Sequence, residues 1–248
     1  MEGHKMKLII VENYEEASIE AAKVMLEVVK NNPTANLGLA TGSTPIRMYE
    51  LMIEDHKKNG TSYKDIKSFN LDEYFGLEAT HPQSYHYFMN KHLFSGIDIN
   101  PENVHVPNGA GDIQVSCDDY NKLLAENPID IQLLGIGSNG HIGFNEPGTS
   151  FDSVTHMIEL KESTRQDNAR LFFDGKIDEV PTHAITMGIL NILQAKKVLL
   201  VACGENKAQP IKVLVEGEKT TDVPASALQD HNDVVVIVDK AAASLLTK

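Results

Sequence analysis

Short apolar runs alternate along the chain with longer segments of helical periodicity. The runs are continuously hydrophobic, as is typical of strands covered on both faces: KLIIV (7–11), LGLA (37–40), IKSFNL (66–71), NVHV (103–106), IDIQLLGIG (129–137), KVLLVA (197–202) and DVVVIV (233–238). The segments with apolar positions at helical spacing are 14–30, 46–58, 84–93, 116–126, 164–173, 187–195, 207–216 and 240–247. Strands that alternate with helices predict βαβ units and a mostly parallel sheet.

This pattern predicts an α/β fold, a three-layer α/β/α domain with a Rossmann-like sheet and helices on both faces. No composition break, Pro/Ser-rich linker or repeat divides the chain, so we predict a single domain over residues 6–248. Residues 1–5 precede a second methionine, Met6, and are either native or a remnant of cloning. They are left out of the fold prediction. In open parallel sheets ligands bind beyond the carboxyl ends of the strands, so those loops are where a site is expected.

Composition and charge exclude several classes of binding partner. The 248 residues include 22 basic and 35 acidic side chains, a formal net charge of −13, which repels nucleic acid and anionic membranes. The N-terminus lacks an apolar signal region and no run is long enough to span a bilayer. Cys117 and Cys203 are the two cysteines, and neither has metal-type spacing. We therefore expect a cytoplasmic protein that binds no nucleic acid, membrane or metal.

The loop Thr41–Pro45 follows the apolar run LGLA and precedes a helix. Gly42 permits a tight turn, Ser43 and Thr44 supply hydroxyls, and Pro45 suits a first helical turn whose free N–H groups bind anions. The same residue types also form plain N-capping turns, so the segment alone does not decide between a phosphate cradle and a cap.

An acidic pair lies just past the run 66–71, in the segment FNLDEYFGL (69–77). Adjacent strand residues point in opposite directions, so only one of Asp72 and Glu73 is expected to face the crevice at the strand ends. The sequence does not say which. An isolated acidic pair of this kind is also common at a solvated strand end.

The glycine-rich segment 133–151 contains Gly135-x-Gly137-x-x-Gly140, which matches a dinucleotide-binding fingerprint. That fingerprint must begin a helix, whereas the following residues 141–148 include two glycines and a proline. We therefore interpret the glycines as shaping a loop that holds polar side chains for proton transfer. Those side chains are Asn139, His141 and Glu146.

Two cations stand out against the acidic background. Arg170 lies in a helical segment, and Lys207 follows the run 197–202 near the start of another helix. A lysine at a helix N-terminus opposes the helix dipole, which indicates a bound anion. With Thr41–Pro45 they could hold a phosphate, although either could instead be a solvated surface charge.

Specific segments recur in order over nearly the whole chain from Met6: LATGSTP (39–45), FNLDEYFGL (69–77), SYHYFMNKHLF (84–94), LLGIGSNGHIGFNEPG (133–148), STRQDNARLFF (163–173), HAITMGILNIL (183–193) and ACGENKA (202–208). In them the chain closely resembles the glucosamine-6-phosphate deaminase family, also called the glucosamine-6-phosphate isomerase family. The resemblance implies conversion of glucosamine-6-phosphate and water to fructose-6-phosphate and ammonia, an aldose–ketose isomerisation in amino sugar catabolism. It implies a sugar-phosphate substrate and no cofactor. A homo-oligomer is compatible with it.

The resemblance also implies roles for the residues already singled out. Asp72 would be the base that removes the C2 proton and returns it to C1. His141, assisted by Glu146 and residue 139, would act in opening the pyranose ring. Better-known members have Asp where this chain has Asn139, which can orient His141 but carries no charge to stabilise an imidazolium.

The phosphate would be held by Gly42, Ser43, Thr44, Arg170 and Lys207, with residues 160–180 resembling a mobile lid. Two alternatives remain at this point: a sugar-phosphate lactonase of the 6-phosphogluconolactonase kind and a non-catalytic sugar-phosphate sensor. Retention of the LDEY and NEPG segments favours the deaminase.

Overall fold

The computed structural model of the protein describes residues 6–247. Met1–Lys5 and Lys248 lie outside the described residues. The prediction that residues 1–5 are native or a remnant of cloning falls on that undescribed part. The strands are β1 (Met6–Val11), β2 (Asn36–Leu39), β3 (Lys67–Asn70), β4 (Asp72–Phe75), β5 (Val104–His105), β6 (Ile131–Leu134), β7 (His156–Glu159), β8 (His183–Thr186), β9 (Lys197–Ala202) and β10 (Val234–Asp239).

The α-helices are α1 (Tyr14–Asn31), α2 (Ile46–Asn59), α3 (Tyr85–His92), α4 (Ile113–Glu126), α5 (Glu162–Phe172), α6 (Ile189–Leu193) and α7 (Ala208–Glu216). Short 3₁₀ turns lie at Phe94–Gly96, Pro101–Asn103, Ile177–Glu179, Glu205–Lys207 and Pro224–Asp230. No helix among residues 6–247 is long and apolar enough to cross a membrane.

The central sheet has seven parallel strands in the order β1-β10-β9-β6-β2-β3-β5. Its middle strands read as continuous apolar runs because both faces are covered; residues Val234–Val238 of β10 are all buried. The mostly parallel α/β fold predicted from the sequence is confirmed.

The order of the strands places helices on both faces. From β1 to β5 the chain moves toward one edge of the sheet, and after β5 it moves back toward the other. Since βαβ connections are right-handed, α1, α2 and α3 cover one face and α4, α6 and α7 the opposite face. The direction reverses between the neighbouring strands β2 and β6, and such a point opens a crevice beyond the carboxyl ends of the two strands.

A second, antiparallel sheet in the order β4-β8-β7 was not predicted. The predicted strand 66–71 ends at Asn70, and Leu71 is the link between the two sheets: its N–H donates to the Leu39 carbonyl, while its own carbonyl accepts from the Met187 N–H. The chain therefore leaves the parallel sheet at Leu71 and begins β4 at Asp72.

The predicted helix 240–247 is wrong. The segment forms successive turns, in which the Ser244 and Leu246 N–H groups donate to carbonyls three residues earlier. The Asp239 carboxylate accepts from the Gly204 and Ala242 N–H groups and so ties this segment to the loop after β9. The apolar periodicity of 240–247 reflects packing of these turns on the core, because Ala242 is fully buried.

Candidate active site

A cavity of about 450 Å³ opens at the carboxyl ends of β2 and β6. It is bounded by the loops after these strands, by α1 and by the start of β4. The predicted site residues that line it are Gly42, Ser43, Thr44, Asp72, His141 and Lys207. Asn139, Glu146 and Arg170 do not line it.

The loop after β2 presents unused hydrogen-bond donors to the cavity. Within residues 6–247 the N–H groups of Gly42, Ser43 and Thr44 donate to no acceptor, and the two hydroxyls make no hydrogen bond. Gly42 has φ of 101°, which a residue with a side chain rarely adopts. The following helix α2 begins at Ile46, and its N-cap residue Pro45 provides no side-chain cap. The plain N-capping turn is therefore not what forms here, and the open donors suit an oxyanion.

Lys207 lies across the cavity from this loop, at the N-cap position of α7. Its half-buried Nζ donates to the Ile136 carbonyl at 2.6 Å, which fixes the ammonium group beside the loop after β6. Burial lowers the pKa of Lys207. A bound anion would offset both the lost hydration and the opposing dipole of α7.

The acidic pair divides as strand alternation requires. Asp72 lines the cavity, and no group in the described part of the chain donates a hydrogen bond to its carboxylate. Glu73 points the other way and accepts backbone N–H groups of Tyr74, Tyr85 and His86 at 2.9, 2.9 and 3.0 Å. Glu73 therefore anchors the start of α3, and Asp72 is the member of the pair that is free for chemistry.

Asp72 is strongly perturbed. It is 7% exposed, and burial together with the nearby Glu73 charge raises the pKa of Asp72 to about 8. A buried carboxylate without hydrogen bonds is a strong base once it is ionised, as abstraction of a proton from carbon requires.

The glycine-rich loop after β6 holds three polar side chains in one hydrogen-bonded chain. Asn139 Oδ1 lies 2.7 Å from His141 Nδ1, and Asn139 Nδ2 donates to Glu146 Oε2 at 2.7 Å. His141 Nδ1 and Glu146 Oε1 are 3.9 Å apart. Gly137 makes room for the imidazole, because a Cβ there would lie 2.0 Å from His141 Cε1. As predicted, this segment forms no helix.

The pKa of His141 is lowered, first by burial and then by the Lys207 charge, against the opposing effect of Glu146. The imidazole is therefore neutral near pH 7 and can accept a proton. Of the three side chains in the cluster, only His141 lines the cavity; Asn139 and Glu146 lie behind it.

Arg170 stands apart from the other predicted phosphate ligands. It lies on α5 with its side chain 71% exposed, and its guanidinium pairs with Asp167 at 3.5 Å. A neighbouring arginine, Arg165, instead donates to the carbonyls of Ile177 and Val180 and ties α5 to the following 3₁₀ turn. The structure does not bring Arg170 to the cavity.

Two aromatic residues of the cavity were missed by the sequence reasoning. Tyr85 and Phe144 line it and lie parallel to each other, with ring centroids 6.3 Å apart. They contribute to the apolar surroundings that desolvate Asp72. Both fall in segments of the recognised pattern, SYHYF and GHIGFNEP, which was the available signal.

Within residues 6–247 no group of three or more His, Cys, Asp or Glu side chains is arranged to hold a metal ion.

Comparison with known proteins identifies the family. The model of glucosamine-6-phosphate isomerases/6-phosphogluconolactonase matches residues 12–237. The chain belongs to this family. A glucosamine-6-phosphate deaminase from Geobacillus sp. (strain WCH70) is 52% identical to this chain, and the match covers 97% of this chain and 96% of that protein. A glucosamine-6-phosphate deaminase from Clostridium botulinum (strain Alaska E43 / Type E3) is 50% identical, and the match covers 97% of each.

Two solved structures have a similar fold. One, described as a monomeric glucosamine-6-phosphate deaminase, has a TM-score of 0.91 and 48% identity over 97% of this chain and 100% of that one. A 6-phosphogluconolactonase from Trypanosoma cruzi has a TM-score of 0.79 but 20% identity, over 99% and 98% of the two chains. At this identity the likeness to the lactonase structure shows the fold alone.

Proposed function

We propose that this family member is a glucosamine-6-phosphate deaminase, which converts glucosamine-6-phosphate and water to fructose-6-phosphate and ammonia. Relatives of that name are about half identical over nearly the whole chain, whereas the lactonase neighbours share only the fold. The observation that carries the proposal is the buried, unpaired Asp72 in the same cavity as the open donors of residues 42–44 and His141. A lactonase or a sugar-phosphate sensor has no need of a carbon acid's base.

The phosphate group binds first in this proposal. The N–H groups and hydroxyls of the loop Gly42–Thr44 and the Lys207 ammonium surround it, and the N-terminal end of α2 adds its dipole. Arg170 joins them when α5 approaches the cavity, as in the lid that residues 160–180 resemble.

His141 then assists ring opening. Its neutral imidazole accepts the proton of the C1 hydroxyl while the C1–O5 bond breaks, and it returns a proton to O5. The side-chain oxygen of Asn139 orients the imidazole by its hydrogen bond with His141 Nδ1. The Glu146 carboxylate in turn orients Asn139 by accepting from Asn139 Nδ2. The charge of Glu146 favours the transient imidazolium from a distance.

Asp72 carries out the isomerisation. The ionised carboxylate removes the C2 proton of the open-chain aldehyde, and the electron pair passes through C1 to the carbonyl oxygen. This oxygen takes up a proton that the C2 ammonium group releases, which gives the enol. Asp72 then returns the proton to C1, leaving an iminium at C2. Water adds to C2 and ammonia leaves, which gives fructose-6-phosphate.

The test is to incubate the protein with glucosamine-6-phosphate and to measure ammonia and fructose-6-phosphate. Equal amounts of both products are expected. Asp72→Asn, which keeps the shape of the side chain, should lose about 10²–10⁴-fold or more in turnover with little change in substrate affinity. Absence of both products, or equal turnover in the variant, would contradict the proposal.

All the residues named for the proposed site lie in one chain. The oligomeric state, for which the sequence allows a homo-oligomer, and the cytoplasmic location are separate predictions. Light scattering coupled to size-exclusion chromatography measures the former.

A further inference from the structure

Tyr14, at the first turn of α1, contacts the loop after β2 from outside the cavity. Its hydroxyl lies 2.9 Å from the Ser43 carbonyl and 3.0 Å from the Thr44 carbonyl, and it accepts the Arg47 N–H at 3.3 Å. Tyr14 is not a cavity-lining residue, whereas Ser43 and Thr44 are. A single phenol group therefore contacts three peptide units, two consecutive ones in the loop and one in the first turn of α2.

The contacts with Tyr14 determine which way the peptide groups of the loop point, and so whether they present N–H groups or carbonyl oxygens to an anion. None of the described peptide bonds is cis, and in a trans peptide the carbonyl and the N–H point in opposite directions. Because the Ser43 carbonyl points to Tyr14 on the outside, the Thr44 N–H of the same peptide points toward the cavity. The Thr44 carbonyl is also held on the Tyr14 side, and the next residue, Pro45, has no N–H. The negative ends of two carbonyl dipoles, the Ser43 and Thr44 oxygens, thus point away from the place where a phosphate would bind.

Without the phenol, this orientation has little else to hold it. Within residues 6–247 the Ser43 carbonyl has one other contact, a long 3.4 Å bond from the Ile46 N–H, and the Thr44 carbonyl has none. The Ser43 and Thr44 side chains are themselves unbonded. Rotation of either peptide would point a carbonyl oxygen at the bound anion, and rotation of the Ser43–Thr44 peptide would also withdraw the Thr44 N–H from it.

We propose that Tyr14 is a positioning residue of the phosphate subsite, which fixes the loop Gly42–Thr44 in its anion-binding orientation. The inference rests on the proposed function, because it takes the phosphate of the substrate as the ligand. Tyr14 does not touch the substrate and acts only through the loop.

The test is Tyr14→Phe, which removes the hydroxyl and leaves the ring. We expect KM for glucosamine-6-phosphate to rise about three- to tenfold, the scale of one or two hydrogen bonds, with kcat within about twofold of the parent. The Kd for inorganic phosphate, measured by calorimetry, should rise by a similar factor. Unchanged KM and phosphate Kd, with or without a lower Tm, would overturn the proposal, since a merely structural tyrosine changes stability alone.

Two control variants separate the hydroxyl from general anchoring of α1. Tyr87→Phe removes a phenol of similar exposure that makes no hydrogen bond through its hydroxyl in the described structure, and it should change neither constant. Arg47→Gln breaks ion pairs with Glu15, Glu50 and Glu54 but keeps the N–H that Tyr14 accepts. It should lower Tm and leave the phosphate Kd unchanged; a rise equal to that of Tyr14→Phe would assign the loop to the ion pairs instead.

Phosphate binding also distinguishes this inference from the proposed function. A wild-type protein that releases no product, but binds phosphate more tightly than Tyr14→Phe does, would refute the deaminase and support the role of Tyr14. If the wild-type protein is an active deaminase and Tyr14→Phe changes neither the phosphate Kd nor KM, the proposed function is supported and the role of Tyr14 is refuted.

Discussion

Asn139 holds His141 in one tautomer. Asn139 Oδ1 lies 3.1 Å from the backbone N–H of His141, which can only donate, so this atom is the amide oxygen. The same oxygen lies 2.7 Å from His141 Nδ1, and Nδ1 must therefore carry the proton. Nε2 is left as the free base. The amide nitrogen donates to Glu146 Oε2.

The first prediction concerns Asn139→Asp, which places a second carboxylate against Nδ1. A negative charge there favours the imidazolium, so the pKa of His141 should rise above that of the parent protein. Nuclear magnetic resonance of the imidazole C–H signal against pH measures this directly. An unchanged midpoint in the variant would show that residue 139 does not face Nδ1. In the parent, ¹⁵N shifts should report the Nδ1–H tautomer.

The second prediction is a pH dependence set by Asp72. A base must be ionised, and burial raises the pKa of Asp72 to about 8. The value of kcat/KM reports the free enzyme and should therefore rise with pH through about 8. A rate that is level from pH 6 to pH 9 would show that Asp72 is ionised throughout or is not the base.

The third prediction is that Asp72→Asn stabilises the protein more at high pH than at low pH. Because the pKa of Asp72 is higher in the folded state than in the unfolded chain, the folded state binds more protons between the two values, and stability falls as pH rises through that range. Asparagine does not ionise. The Tm of the variant minus that of the parent should grow from pH 5 to pH 8 and then level off. A difference independent of pH would contradict the shifted pKa.

The parallel sheet could be predicted from sequence because its strands are long apolar runs, whereas the antiparallel sheet could not. β4 begins one residue after the apolar run ends, and β7, with alternating exposure, resembles a surface segment. Only the long-range contacts of Leu71 with Leu39 and Met187 show that one run serves two sheets. The extent of the single domain stays a prediction.

The candidate site could be predicted from sequence where the position of a side chain depends only on its own secondary-structure element. Strand alternation required that Asp72 and Glu73 diverge, but only the placement of α3 shows that Glu73 is the buried anchor. Tyr14 and Ser43 are 29 residues apart in sequence, and they meet because α1 packs against α2. No local pattern reveals this contact.

The fourth prediction is that Lys207→Ala weakens substrate binding by about 1.5–3 kcal/mol, the worth of a charged hydrogen bond, and so raises KM about 10- to 150-fold. Lys212→Ala is the matched control on the same helix, since its Nζ donates to the Leu245 carbonyl away from the cavity. Steady-state kinetics of both variants checks this. Equal KM values for the two would remove Lys207 from the phosphate site.

The last prediction concerns Arg170, which the sequence places at the phosphate and the structure places on the exposed face of α5. If α5 approaches the cavity when substrate binds, Arg170→Ala should raise KM several-fold, because a guanidinium–phosphate contact is charged and bidentate. The partner variant Asp167→Asn removes the exposed ion pair that Arg170 makes within α5, so it should leave KM unchanged or lower it. Substrate should also protect α5 amides from hydrogen exchange in the parent and less so in Arg170→Ala. The same KM in Arg170→Ala as in the parent, with no protection of α5, would leave Arg170 as a surface ion pair.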